Sequence, residues 1–357
     1  MGDIMKKILA LFLSIALCVT AFSACGNKKK PTKKKPDSSS SSIASSSEAE
    51  KVQQGVNYLT GEPLELVNKN RPVAIMINNI KTALPQYGIG AADILYEVPV
   101  EGGITRMMAV YNDYTKVPRV CSIRSCRYYY PVLALGMDAV YVHWGMDPSI
   151  AKETLNRLGI NRLDGATIGS QYFGRDQARL KNYSREHTGY FDGPRLPEAM
   201  KKLNYRTARD SSYGNTLFNF SSSPLTLTGT TCNSSVLTYS SLYYSTFTYN
   251  ASTQTYKKMH SGRPHMDSST GKQLEFKNVL VLRTNIKNFN KSKLMDVELK
   301  GGTGKYISNG VAIDIKWSKA TEKSKIVLTK ADGTKLELNQ GKTYIGLIGY
   351  NKSVTIK

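Results

Sequence analysis

Cysteine and histidine are scarce in this chain: five cysteines and four histidines in 357 residues. Cys18 lies inside an apolar leader and Cys25 follows that leader directly, so Cys121, Cys126 and Cys232 are what the body of the chain retains. Three thiols so scattered are no disulfide framework, and the five-residue offset of Cys121 and Cys126 fits neither a CxxC redox pair nor a zinc ribbon. They read as buried, idle thiols. His260, His265 and Asp267 (MHSGRPHMD) are metal ligands in type, but their spacing matches no zinc pattern and Pro264 excludes a regular helix there. Neither a metal nor a cofactor is expected. An apolar run long enough to cross a bilayer is also missing, since residues 8–19 fall short of the roughly 20 residues needed.

What the leader does contain is an export signal. Lys6 and Lys7 precede the apolar stretch, and Ser23 and Ala24 stand immediately before Cys25. Charge, apolar run, small residues and cysteine in that order form the pattern of a bacterial lipoprotein signal, with Phe22 where leucine is usual. The expectation is a signal peptide over residues 1–24, a lipid (palmitate among its acyl chains) on Cys25, and a protein held on the extracytoplasmic face of the cell membrane. Residues 25–57 then carry a lysine block (KKKPTKKK), a serine-rich run and a short acidic patch. Such a composition has too little apolar surface to fold and reads as a disordered stalk. Its lysines can rest on anionic headgroups at roughly 1 kcal/mol each, completing a two-part anchor.

The net charge is +22, of which the stalk carries +4 and the leader +1, leaving +17 on residues 58–357. In a cytoplasmic protein that excess would suggest nucleic acid. Outside the membrane the polyanions are lipid headgroups and wall polymers, so no nucleic-acid partner is expected.

The body of the chain has two textures. VAIMI (73–77), ILYEV (94–98), TRMMAVY (105–111) and DAVYVHW (138–144) are apolar runs that read as strands,. Residues 148–158 read as a helix, with Asp147 to cap it and Gly159 to end it. From 210 onward Ser, Thr, Tyr and Asn dominate, and strand-like segments alternate with Gly or Asp-Gly turns. The fold class expected is α+β: an N-terminal α/β domain over 58–210, a linker over 211–234 and a mostly β C-terminal domain over 235–357.

Candidate chemistry concentrates in the N-terminal half. In EVPVEGGITR (97–106), Glu97 and Glu101 are four apart, the kind of carboxylate pair a hydrolase uses. An extended strand would separate them by about 13 Å, beyond the ~5 to 9.5 Å of glycosidase pairs, unless Pro99 or Gly102-Gly103 bends the chain. The alternative is that they fix arginines such as Arg106. In RVCSIRSCR (119–127), Arg119, Arg124 and Arg127 stand around Ser122 and Ser125, which suits either an anion pocket or an ion-pair cluster with Glu97, Glu101 or Asp164. Ser125 has no recognisable base beside it. His143 ends a strand and His187 lies in a polar loop (YSREHTGYF), both places from which site residues project. The 22 tyrosines suit carbohydrate or protein surfaces,.

Together RPVAIMINN (71–79), ADILYEVPVEGGITRMMAVY (92–111), SIRSCR (122–127), DAVYVHWG (138–145), LDG (163–165), FGRD (173–176) and GRPHMDSSTGKQLEFKNVLV (262–281) resemble the YerB-like bacterial lipoprotein family. The resemblance runs from about Tyr58 onward and implies an N-terminal YerB domain, a separate C-terminal domain and an envelope location. Arg175 of FGRD, with Arg263 and His265 of the RPH segment, joins Arg106, Arg124, Ser125, Arg127 and Asp164 as candidate binding residues. The reading that follows is a membrane-anchored envelope lipoprotein that binds an anionic wall polymer or an envelope protein, such as part of the peptidoglycan-synthesis machinery. The alternative is a wall-active hydrolase or transferase using Glu97 or Glu101 with His143 or His187.

Overall fold

The computed structural model describes residues 54–357 except Lys291. The signal peptide, Cys25 and the stalk as far as residue 53 lie outside the described residues. Gly55–Val56 already pairs with Pro63–Leu64 as a short antiparallel ribbon, so residues 55–57 belong to the folded part and not to the stalk.

Strand is the commonest regular structure among the described residues. In the N-terminal half β1 (Val73–Asn78), β2 (Ile94–Pro99), β3 (Thr105–Tyr111), β4 (Val140–His143) and β5 (Arg162–Asp164) arise from the apolar runs noted above. In the C-terminal half β6 (Ser234–Thr238), β7 (Tyr244–Asn250), β8 (Thr255–His260), β9 (Asn278–Thr284), β10 (Gly301–Ser308), β11 (Val311–Ser318), β12 (Thr343–Gly349) and β13 (Val354–Ile356) carry the architecture. Helices are few and short: α1 (Tyr129–Leu135), α2 (Ile150–Leu158), α3 (Gln177–Leu180) and α4 (Leu196–Lys202). The α layer expected of the N-terminal half is correspondingly thin.

One eleven-stranded sheet runs through both halves, in the order 230–231, β11, β10, β9, β12, β2, β3, β1, β4, β5, with Val327–Lys330 added beside β11. The halves join where β12 lies parallel to β2, Thr343 opposite Ile94 and Gly346 opposite Glu97. β1, β2 and β12 are buried along almost their whole length, as continuous apolar strands must be when both faces of a sheet are covered. Ala74, Met76, Tyr96 and Leu282 point to one core and Val73, Ile75, Leu95 and Val281 to the other, following the two-residue strand period,. α1 and α2 cover the first face. The second is covered by a smaller sheet in which β8, β7, β6 and β13 are neighbours. The buried residues of both cores fall between Tyr58 and Ile348, with Val354 and Ile356 packed against the second, so both cores lie wholly within the described part,.

Two expectations are corrected here. Residues 211–234 do not form a free linker: Leu217 and Phe218 enter one core and Cys232 the other, while Asn219–Phe220 and Thr230–Thr231 add strands against the C-terminal half. The Ser-, Asn- and Gly-rich composition reflects turns between these buried anchors. α2 starts at Ile150, two residues later than residue 148; Asp147 still caps it, both carboxylate oxygens accepting from Ala151 N at 3.2 Å, and Gly159 ends it in the left-handed conformation at φ 59°.

β9, β12, β2, β1, β4 and β5 all run the same way, because β3 is antiparallel to both β2 and β1. Their carboxyl ends, Thr284, Gly349, Pro99, Asn78, His143 and Asp164, therefore share one edge of the sheet, the edge at which open α/β sheets hold ligands.

Candidate functional site

The SIRSCR segment crosses this edge. Its backbone is stitched to the end of β1 by Asn78 N donating to Ser122 O (2.8 Å) and Arg124 N to Met76 O (3.2 Å), and to the residues after β4 by Trp144 N to Arg124 O (3.1 Å) and Cys126 N to Gly145 O (2.9 Å). Gly145 is required there, since its φ is 74°,. The segment thus presents Arg124, Ser125 and Arg127 along the rim with Trp144 beside them, all four half-buried.

Arg106, at the start of β3, comes up from below. It is 5% exposed, donates from Nη1 to Ser125 O (2.6 Å) and lies 3.5 Å from Glu101. Burial and the neighbouring Arg127 push its pKa down to about 10, against the pull of Glu101. Glu101 sits in the turn Glu101–Gly103, where Gly102 and Gly103 both take positive φ, and is gripped at both oxygens by the Arg127 guanidinium. Burial would raise the Glu101 carboxyl; Arg127 and Arg106 outweigh it and hold it below the usual range. Arg124 pairs with the exposed Glu186 at 2.8 Å. Arg175 stacks on the Trp144 ring at 4.2 Å and donates to Arg185 O (2.7 Å); burial and the like charges of Arg185 and Arg124 lower its pKa. Four arginines, Arg106, Arg124, Arg127 and Arg175, thus meet two glutamates, and Arg175 has no carboxylate partner among the described residues. An arginine with one nitrogen held by a carbonyl, no carboxylate on the rest of its fork and its flat face on an indole is preorganised to donate hydrogen bonds to an anion,.

Glu97 lies elsewhere, sealed between the two sheets. It accepts from Asn79 Nδ2 (3.0 Å), Thr105 Oγ1 (2.8 Å), Ser245 Oγ (2.8 Å) and Tyr344 Oη (2.7 Å), with Lys258 Nζ 3.3 Å away. Burial alone would raise its pKa, but Lys258, His260 and these donors hold it low. Lys258 in turn donates to His265 Nδ1 (3.1 Å), which fixes the His265 proton on Nε2, facing Gln86 Oε1 (3.0 Å); Gln86 then donates to Asn78 O (2.7 Å). The hydrogen bonds run in one consistent direction from one sheet to the other.

The remaining candidates separate. His143 is fully buried beneath the rim, donates from Nδ1 to Gly145 O (2.9 Å), and is kept neutral chiefly by desolvation. It supports the Gly145 turn and does not project from its strand end into solvent. Asp164 pairs with none of the arginines; it accepts from Gly145 N (2.8 Å) and Ala166 N (3.0 Å) instead. His187 is buried, with Asn78 Nδ2 donating to its Nδ1 (3.0 Å) and Thr82 Oγ1 3.2 Å from Nε2. His265 is a buried link in the Lys258 chain, whereas Arg263 is exposed on the Arg263–Pro264 strand. Asp267 accepts from Gly88 N (3.2 Å) and Gly90 N (2.5 Å), tying two loops together. Glu97, Glu101, His143 and His187 are therefore each committed to different partners and line no common pocket. Sequence reasoning passed over Lys258, Tyr344 and Trp144. Lys258 had a legible signal: in TYKKMH it shares strand parity with Tyr256 and His260, an inward position where a lysine is exceptional,.

Two cavities flank this geometry. One of about 670 Å³ opens at the opposite edge of the sheet, between Leu64–Asn70 and Asp93, Tyr111 and Asp113. The other, about 530 Å³, opens at the same edge as the arginines, beyond the Glu101–Gly103 turn.

Comparison with known proteins agrees with this architecture. A curated relative, "Putative lipoprotein YerB" of Bacillus subtilis (strain 168), is 28% identical over 300 residues, spanning 81% of this chain and 85% of its own. The crystal structure of the YerB protein from Bacillus subtilis superposes with a TM-score of 0.72 at 25% identity, covering 84% of this chain and 99% of that one. Residues 59–206 match the family described as "Protein of unknown function (DUF3048) N-terminal domain" and residues 235–345 match its C-terminal domain. The chain belongs to this YerB-like family, built from both of its domains.

Proposed function

We propose that this protein is a lipid-anchored envelope lipoprotein whose arginine-rich rim binds an anionic wall polymer on the extracytoplasmic face of the membrane. The observation that carries the reading is Arg175, stacked on Trp144 and without a carboxylate partner among the described residues, in a group of four arginines with only two glutamates. A guanidinium fork suits phosphate or carboxylate, and an indole beside it suits the apolar face of a sugar. The relative's name, a lipoprotein, and the leader ending in Cys25 support the anchor. A hydrolase built on Glu97 or His143 is disfavoured, because both side chains are fully buried and bonded within the fold. Co-sedimentation with isolated wall sacculi, before and after removal of their anionic polymers, tests the reading. Binding should need the polymers and should fall about tenfold or more in Arg124→Ala/Arg175→Ala; equal binding to stripped sacculi, or by the variant, would refute it.

A further inference from the structure

The 530 Å³ cavity at the seam of the two halves has an unusual lining. Lys287, Lys293 and Lys352 stand around it, no lining residue is acidic, and Ile104, Ile286 and Met295 supply apolar wall. Those three apolar residues are partly buried and pack against one of the cores, so the wall is held in place before any ligand arrives. None of the three lysines forms an ion pair among the described residues. Asp296 stands opposite Lys287 across the hairpin of Ile286–Asn288 and Met295–Val297, but its carboxylate accepts from Tyr128 Oη at 2.6 Å. The cavity opens beside the carboxyl ends of β2, β9 and β12, and its volume lies within the range of small-ligand sites.

We propose that this cavity binds the phosphate-bearing headgroup of a lipid, with the phosphate among Lys287, Lys293 and Lys352 and the first carbons of the chains on Ile104, Ile286 and Met295. Three mobile ammonium groups suit a phosphate without demanding the planar geometry of a guanidinium site. The apolar wall selects an anion that carries hydrocarbon over one that does not. The site is separate from the arginine rim, because Glu101 turns toward Arg106 and Arg127 while Gly102, Gly103 and Ile104 line the cavity.

Calorimetric titration of residues 54–357 tests this with dihexanoyl phosphatidic acid below its micelle concentration, glycerol phosphate and inorganic phosphate. The short-chain lipid should bind about tenfold more tightly than glycerol phosphate. Lys287→Gln/Lys293→Gln/Lys352→Gln should lose about tenfold in that affinity, and Met295→Trp, which fills the cavity and keeps the charge, should lose a similar factor. Lys152→Gln/Lys201→Gln/Lys202→Gln, on distant surface, should bind as the parent does. Equal affinity for glycerol phosphate would mean that only free phosphoesters are recognised, and no loss in the first triple variant would mean generic charge attraction; either result overturns the proposal. Arg124→Ala/Arg175→Ala should keep lipid binding, so failure here leaves the rim reading standing, and failure of the rim leaves this one.

Discussion

The ammonium of Lys258 lies 3.3 Å from the carboxylate of Glu97, and the two side chains, 0% and 1% exposed, belong to opposite halves of the chain. Among the described residues each is the other's only ion-pair partner, so the pair is a lock between the small sheet and the large one. Glu97 holds four further donors and Lys258 only one further acceptor. Glu97→Gln should therefore cost about 3–5 kcal/mol, as an uncompensated buried ammonium does. Lys258→Met leaves the carboxylate with its four hydrogen bonds and should cost less, about 1–3 kcal/mol. Urea titrations give both values. The reverse ranking would show that the ammonium, not the carboxylate, is the centre of the network.

Acid should destabilise the fold earlier than carboxylate protonation alone would. Burial holds all four histidines below their usual pKa, His260 down to about 4 and His143, His187 and His265 in the same direction. For a histidine kept neutral by folding, the unfolded chain binds the extra proton once the pH falls below 6.5. Stability is thus complete above the unfolded value and lost progressively as pH falls toward the folded one. His260, both of whose ring nitrogens are buried without partners, should account for about 3 kcal/mol of that loss. Denaturation free energies between pH 7 and pH 4 should fall steeply, and His260→Phe should flatten the slope. A parallel slope in the variant would contradict this assignment.

Glu101→Gln separates charge from scaffolding at the rim. The substitution removes the anion that occupies Arg127 and neutralises part of Arg106. Polymer binding should tighten severalfold at low salt and converge on the parent at high salt, as surface electrostatics do. Stability should drop by about 1–2 kcal/mol, since Arg106 stays buried without its counter-charge. Weaker binding at every salt concentration would instead mean that Glu101 shapes the site or touches the ligand.

How much of this was legible depends on how local each feature is. β1, β2 and β3 stand out because a strand covered on both faces must be apolar throughout, which VAIMI and TRMMAVY display without ambiguity. The arginines of RVCSIRSCR were visible as a cluster for a similar reason: Arg119, Arg124 and Arg127 stand within nine residues, although Arg119 pairs with Asp192 instead of joining the rim. The seam was not visible. Tyr344 bonds Glu97 across 247 residues of sequence, and nothing in ILYEV says that its neighbour will be TYIGLIG. The single hint is Gly346, opposite Glu97, where a Cβ would come within 2.6 Å of Tyr239 Oη; a glycine inside a strand signals such a close approach but not which group approaches. His143 misled for the complementary reason. A histidine at a strand end projects to solvent only if nothing crosses above it, and the SIRSCR segment crosses there.

Thiol chemistry offers a test of the anchor that needs no membrane fractionation. Burial pushes Cys121 and Cys126 up to about 12 and Cys232 to about 11, and a thiol so raised is mostly unionised and unreactive at neutral pH. On the proposed anchor Cys18 would leave with the signal peptide and acylation would block the Cys25 sulfur, so the mature protein should present no reactive thiol while folded. A maleimide reagent should then label nothing in the native protein and three sites after unfolding, counted by mass spectrometry. A fourth label, already accepted by the native protein and mapping to Cys25, would show that the sulfur carries no lipid and would remove the anchor from the reading.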